Sequence, residues 1–477
     1  MSAASLWPLA VPALALLVTV AQRDVHRIAT VARATALVLW ALAIWALLSR
    51  PLGLWDPLAL WFLLMVLVLT GFCLMVSAQY VEAEVAQGEL TAAQARRYFL
   101  LFQGCVLSLL TIGAASNYFV VWAGVEGTTL TTILLVAMPG GRAVEAAWKY
   151  IVITGIGGLL ALLGTVFALH GAQIPLNVTG FALAPAPVAG PAALAVQIGF
   201  WLALVGYGSK AGLVPFHTWL PDAHSEAPAP VSAVLSGVKL AGGVYALLRL
   251  LALTDSAVGP LWPHRMLIII GLLTLALAAG ALAGQRDLKR LLAYSSIEHM
   301  GLIVLGAGFG GLALAGALLH MWTHGLGKTG LFFSAGNVRL RFHSTSAPSV
   351  RGVLRAMPLT GAALALGASA IVGLPPFGLF WSEWLLLLGG VRAGYAVWVA
   401  VAVALLLAAF LGIGLRLPAL LLGAPPKEAL PAEGAVREGA GSTWVLGLEL
   451  AALTVVGLAL PAALHSVWLS AVRLGGG

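Results

Sequence analysis

The residues able to do chemistry in this chain are few, and they lie where water is scarce. Lys210, Lys239 and Lys328, Glu126, Glu298, Glu383 and Glu449, and His299, His320 and His324 all fall inside long apolar stretches. A charged side chain at the centre of a membrane helix costs about 2.5 to 3.5 kcal/mol on insertion scales, so each needs a reason to be there. In "ALLHMWTHGLGKTGLFF", His320, His324 and Lys328 recur every four residues and share one helical face. Imidazoles titrate near neutral pH and can pass protons along such a row. Two other readings stand beside this one. The row can hydrogen-bond to a neighbouring helix, or two histidines one turn apart can hold zinc. Against zinc, no carboxylate or thiolate accompanies them in the segment, and Lys328 repels a cation. "GLGKTG" touches a phosphate-loop pattern but fails it, because Trp322 stands where that pattern needs glycine.

Glu126 lies deep in "NYFVVWAGVEGTTLTTILL", where an unpaired carboxylate would take up a proton. Lys210, just before a run of prolines, is its natural partner, as a switchable ion pair or as a static lock between two helices. Glu298 and His299 are adjacent, about 100° apart around a helix, so only one points squarely into any given seam. Glu383 follows "GLPPF" at the place that mirrors Lys210. Asp56 and Glu449 are weaker candidates, expected near an interface where water solvates them. Glu145 and Lys149 are spaced for an ordinary i,i+4 pair.

The elements that must position these groups follow from composition. Of 477 residues, 61% are hydrophobic and 9% charged, too little polar surface to cover a water-soluble globule. The expected architecture is an all-α polytopic membrane protein of about fourteen transmembrane helices. They include spans at 6–21, 228–252, 311–336, 358–388 and 443–470. The first stretch lacks the basic start and small-residue cleavage pattern of a removable signal peptide. Cys73 and Cys105 lie in apolar segments without CxxC spacing, so neither a thiolate-held metal nor a disulfide framework is supported. The net charge of +8 is distributed unevenly: alternate loops hold roughly 17 Lys and Arg, Lys289 among them, against about 5 on the other side, Arg249 among them. That asymmetry favours a membrane protein over a nucleic-acid binder and places both termini away from the cytoplasm. The triplet Asn177–Thr179 matches a glycosylation sequon, a pattern that also arises by chance.

Gly212-Leu213-Val214-Pro215-Phe216 recurs as Gly373-Leu374-Pro375-Pro376-Phe377. Proline removes a backbone donor and clashes one turn back, so Pro215, Pro375 and Pro376 are expected to break two helices at membrane depth. Paired broken helices point to an inverted-repeat transporter, although glycine–proline kinks are also common in membrane helices.

"KAGLVPFHTWLPDAHSEAPAPVSAVLSG", "DLKRLLAYSSIEHMG", "HMWTHGLGKTGLFFSAG" and "GLPPFGLFWSEWLLL" together resemble the antiporter-like membrane subunits shared by respiratory complex I, group 4 nickel–iron hydrogenases and multisubunit cation/proton antiporters. "WAGVEGTTL" and "SSIEHMG" are most similar to hydrogenase-4 component F. The resemblance implies fourteen helices with two inverted five-helix repeats: N-terminal helices at 1–96, a first repeat at 97–252, a second at 253–416, and a linker with the last helix at 417–477. It makes Glu126 and Lys210 a pair that couples to a neighbouring subunit, places Lys239, His299, His320, His324 and Lys328 along a mid-membrane proton relay, and gives Glu383 the terminal exchange position. The family's eighth-span lysine aligns with Ala241, so Lys239 is displaced by two positions, which requires either a local helix distortion or snorkelling. The chain ends soon after the fourteenth span, without room for a long lateral helix.

The implied function is a proton-translocating, or sodium-translocating, subunit of a redox-driven hydrogenase or complex I-like assembly in the cell inner membrane. It would hold no metal or cofactor itself, with redox centres on partner subunits, lipid around it and no nucleic acid. The alternatives are a subunit of a secondary cation/proton antiporter without redox chemistry, and a structural scaffold.

Overall fold

Helix starts are written in short polar side chains between the apolar runs. Asp24, Asp56, Asn117 and Asp287 each accept a hydrogen bond from a backbone N–H in the first turn that follows, and Thr91 with Gln94 forms a capping box. The computed structural model describes residues 6–51, 53–176, 178, 180–181, 185–347, 349–425 and 440–474. Asn177 and Thr179 of the sequon, and most of the 417–439 linker, lie outside the described residues.

The chain runs α1 (Ala10–Ala21), α2 (Val25–Ser49), α3 (Pro57–Ala86), α4 (Ala92–Ala114), α5 (Tyr118–Ala137), α6 (Arg142–Gly171) and α7 (Gly190–Ala211). Past a break come α8 (Trp219–Glu226), α9 (Ala229–Val234), a π-helical turn (Leu235–Lys239), α10 (Leu240–Val258), α11 (Leu261–Leu282), α12 (Leu288–Phe309) and α13 (Gly311–Phe342). It closes with α14 (Val353–Ala356), α15 (Pro358–Ile371), α16 (Gly378–Arg392), α17 (Ala396–Leu421), α18 (Ala440–Leu458) and α19 (Ala462–Leu474). The protein is all-α and polytopic. Among the described residues, 10 helices are long and apolar enough to cross a membrane, or 11 if the bent pair Thr443–Leu458 and Ala462–Arg473 is one span. Three further expected spans fall outside that group for visible reasons. The first, Trp7–Ala21, is short, α13 carries polar groups along its length, and the 358–388 stretch is divided into α15 and α16.

The inner helices are α3, the Ala229–Val258 run and α12, which are almost wholly buried, whereas α2, α6 and α17 turn Leu48, Trp148, Leu159, Val397 and Leu415 outward. Large apolar side chains on the outer surface are what lipid solvates. Two of the three breaks stand where the sequence places them: Pro215 lies between α7 and α8, and Pro375 and Pro376 lie between α15 and α16. A third break, not anticipated from the sequence, bends the last pair by 68°. Pro461 withholds a backbone donor there. One turn earlier α18 lies against the second break, so that a Cβ on Gly457 would sit 1.8 Å from the Pro376 carbonyl oxygen.

The seam between α6 and α7 is made of backbone. Gly157, Gly164 and Gly171 on one helix and Gly199 and Gly206 on the other recur at seven-residue spacing. A Cβ on Gly164 would lie 2.6 Å from the Gly199 carbonyl, and one on Gly206 would lie 2.3 Å from the Ala161 nitrogen. Small residues that let backbones approach this closely drive helix association in lipid.

Two basic residues assigned to loops from the sequence are buried instead. Lys289, in the first turn of α12, donates to the Ser225 carbonyl at 3.0 Å and to the Ala227 carbonyl, closing the C-terminal end of α8. Arg249 on α10 reaches both carboxylate oxygens of Asp56, at 2.8 and 2.7 Å, and the Tyr245 hydroxyl at 2.7 Å. Asp56 is therefore both the cap of α3 and the counter-charge of a buried guanidinium. Glu145 and Lys149 form their pair at 2.8 Å, and Lys149 also reaches Asp222 at 3.1 Å.

Candidate functional site

Lys210 sits in the last turn of α7 because Gly212, at φ +75°, ends the helix in a left-handed turn. Its ammonium donates to Glu126 on α5 at 2.9 Å and to the Thr129 hydroxyl at 3.3 Å. The lysine is 1% exposed and the glutamate 22%, so one end of the pair is sealed and the other reaches the edge of the chain. Gly158 on α6 makes room for the carboxylate: a Cβ there would lie 2.2 Å from Glu126 Oε1. The Trp219 indole holds the end of α7 by donating to the Ser209 carbonyl at 2.9 Å.

Lys239 ends the π turn and is buried, which favours distortion over snorkelling as the account of its displacement. Its ammonium has no hydrogen-bond partner among the described residues. It lies 4.6 Å from the Tyr150 ring and 4.7 Å from the Trp219 ring, which stack on each other at 4.2 Å. Its charged neighbours include Lys210 and Glu126.

His224 on α8 was not singled out from the sequence. It is fully buried, stacks on Phe332 at 4.9 Å, and neither ring nitrogen has a hydrogen-bond partner among the described residues. Lys289, Lys328 and Lys239 are its charged neighbours, so it stands between the two halves of the row. "PDAHSE" carries no helical periodicity that would mark the histidine as inward. The proline-rich break before it was the available signal, since irregular backbone at membrane depth lines cavities or buried sites.

Lys328 on α13 donates to the Leu292 carbonyl of α12 at 2.9 Å and has Glu298 as its acidic neighbour. Glu298 and His299 are both buried, and Lys328 is a charged neighbour of each. His299 Nδ1 lies 2.8 Å from His320 Nε2, and His320 Nδ1 lies 2.8 Å from the Ser382 hydroxyl on α16. The His324 ring is 5.2 Å from that of His299, and both its nitrogens are buried and without a partner among the described residues. Glu383, one residue beyond Ser382, folds back against Gly373. Its carboxylate and the imidazoles of His299 and His320 offer three ligand atoms within 4.8 Å of one another.

Glu449, expected near an interface, is instead 2% exposed in α18. Among the described residues its nearest polar neighbour is the Thr329 hydroxyl, which donates to the Gly325 carbonyl at 2.9 Å. Buried unpaired groups of this kind call for an explanation by chemistry, water or an ion.

Buried lysines, histidines and carboxylates thus lie on α12 and α13 and beside the two proline breaks. The family described as "NADH:quinone oxidoreductase/Mrp antiporter, TM" matches residues 115–411. The chain belongs to this family. Among curated relatives of this antiporter-like family, the hydrogenase-4 component F homolog of Methylacidiphilum infernorum is 37% identical over 338 residues, 70% of this chain and 71% of the relative. NADH-quinone oxidoreductase subunit N of Desulforudis audaxviator is 36% identical over 357 residues, 73% and 68% of the two chains. A chain of the membrane-bound sulfane sulfur reductase, an archaeal respiratory membrane complex, superposes with TM-score 0.83 at 23% identity, covering 99% of this chain and 97% of that one. A chain of the Mrp complex from Dietzia sp. DQ12-45-1b gives 0.81 at 19% identity with 99% and 97% coverage. At these identities the two structures speak for the fold.

Proposed function

We propose that this chain is the proton-translocating membrane subunit of a redox-driven, hydrogenase-like or complex I-like assembly. The observation that carries the reading is the Lys210–Glu126 pair at the first break, with the unpaired ammonium of Lys239 as its neighbour. Closed, the pair holds a positive charge on Lys210 and disfavours a second one on Lys239. Open, Lys210 loses its counter-charge and Lys239 becomes the better proton holder. His224, Lys328 with Glu298, the three histidines and Glu383 continue the row, each within electrostatic reach of the next. Because Glu126 reaches the edge of the chain, a neighbouring subunit can act on it directly. Sodium is carried by the same reading if carboxylates, rather than imidazoles, set the ion.

The partners are other membrane subunits, with redox centres outside this chain, in the cell inner membrane and with both termini on the non-cytoplasmic side. The segments 97–252 and 253–416 are assigned as the two repeats, one break in each. Replacing Lys210 by alanine in the purified, vesicle-reconstituted complex tests the proposal: translocation is lost while the redox subunits stay assembled. Unchanged translocation refutes it. The family's own description, which names the Mrp antiporter beside NADH:quinone oxidoreductase, supports a second reading, a secondary antiporter subunit, which is favoured instead if no redox subunit co-purifies.

A further inference from the structure

We propose that His299, His320 and Glu383 form a binding site for one borderline divalent transition-metal ion, of which Zn2+ is the representative. The three ligand atoms come from α12, α13 and α16 and already lie within 4.8 Å of one another. His299 Nδ1 and His320 Nε2 are 2.8 Å apart. Two nitrogens on a tetrahedral zinc stand about 3.3 Å apart, given Zn–N bonds of about 2.0 Å, so the imidazoles need to part by only about half an ångström. The objection raised by the segment of His320 alone, that it holds no carboxylate, is met from across the bundle. Glu383 arrives because Gly373, at φ +73°, ends α15 without a side chain: a Cβ there would lie 2.3 Å from Glu383 Oε2.

The surroundings suit a ligand set. Ser382 donates its hydrogen to the Leu379 carbonyl at 2.8 Å, so it accepts from His320 Nδ1 at 2.8 Å. That leaves the lone pair on His320 Nε2, aimed at the cluster, and supplies the outer partner that metal-bound histidines usually have. Lys328, the charge that opposes a cation, is held to the Leu292 carbonyl at 2.9 Å and has Glu298 as its acidic neighbour. At the second break Leu374 is 42% exposed and Glu383 half-buried, so the site lies near the edge of the chain. Two nitrogens and one carboxylate with an open fourth position suit zinc, whereas Mg2+ and Ca2+ require more oxygen ligands. Occupancy takes both imidazoles out of the row, a consequence that rests on the translocation reading, although the site itself does not.

The test uses the full chain in its purified membrane complex, titrated with Zn2+ against a chelator of known affinity, with X-ray absorption at the zinc edge. The expected result is one saturable zinc per chain with two imidazoles and a carboxylate, undisturbed by excess Mg2+. Glu383→Gln and His320→Gln abolish it, and Ser382→Ala weakens it roughly tenfold to a hundredfold. Assembly with partner subunits and thermal unfolding show that each variant is folded. If a ligand variant fails to assemble, Ser382→Ala, which alters no charge, decides the matter by its shift in affinity. Absence of saturable zinc, a coordination shell without imidazole, or binding indifferent to these substitutions overturns the proposal. Translocation is not read here, so failure of this site leaves the Lys210 test standing, and failure of that test leaves this one.

Discussion

Glu126→Gln removes one charge from the Lys210 pair while keeping its shape. At 2.9 Å and an effective dielectric constant of about 20, the Coulomb attraction is 332/(20 × 2.9), about 6 kcal/mol. Solvent at the 22% exposed glutamate reduces that gain, and breaking a buried pair by deleting one partner costs about 3 to 5 kcal/mol in general, so the lower end applies here. About 3 kcal/mol corresponds to roughly a hundredfold shift of the equilibrium between paired and unpaired states. Among the described residues, Thr129, at 3.3 Å, is the ammonium's other hydrogen-bond acceptor. The assay is dye-monitored acidification in vesicles carrying the purified complex, normalised to redox turnover, with thermal unfolding measured alongside. The expected outcome is an assembled but less heat-stable complex whose translocation is uncoupled from turnover. Full coupling with unchanged thermal stability refutes the reasoning, because a pair worth several kcal/mol cannot be removed silently.

Three further outcomes follow from other sites. Lys239→Met removes a buried ammonium that has no hydrogen-bond partner among the described residues, offset by lost contact with the Tyr150 and Trp219 rings, so thermal stability should hold or rise by about 1 kcal/mol while translocation falls. A fall in stability would reveal an unseen counter-charge. Asp56→Asn keeps an oxygen to cap α3 but strands the buried Arg249, with an expected loss of about 3 kcal/mol that adding Arg249→Met largely restores in chemical or thermal unfolding. Gly457→Val drives a side chain into the Pro376 carbonyl and should lower stability by about 1 to 3 kcal/mol. Unchanged unfolding would mean that α18 does not lie against the break.

The sequence carries the helices and two of the breaks because these are local: apolar runs, Asx caps and prolines act within a turn or two. It also carries Lys210 and Glu126 as partners, since each is the other's cheapest neutralisation in lipid. The π turn before Leu240 was not readable, because a regular 100° step per residue is assumed on both sides of it. Glu449 and Lys289 differ from expectation for another reason: nearness to a span end does not guarantee nearness to water, and the fold covers both with other helices. The Glu383 carboxylate joins two imidazoles only through the tertiary meeting of α12, α13 and α16, about which spacing within one segment says nothing.

The glycine-lined seam has a mechanical consequence for how Lys210 and Glu126 can separate. With backbone pressed on backbone between α6 and α7, sliding either past the other would collide peptide groups at every seventh residue. The two therefore travel as one slab that carries Lys210 together with the Gly158 cradle, and the relative displacement has to arise in α5 or in the glutamate's own torsions. A covalent tether across α6 and α7 should leave turnover untouched, whereas one fastening α5 to that slab should freeze it.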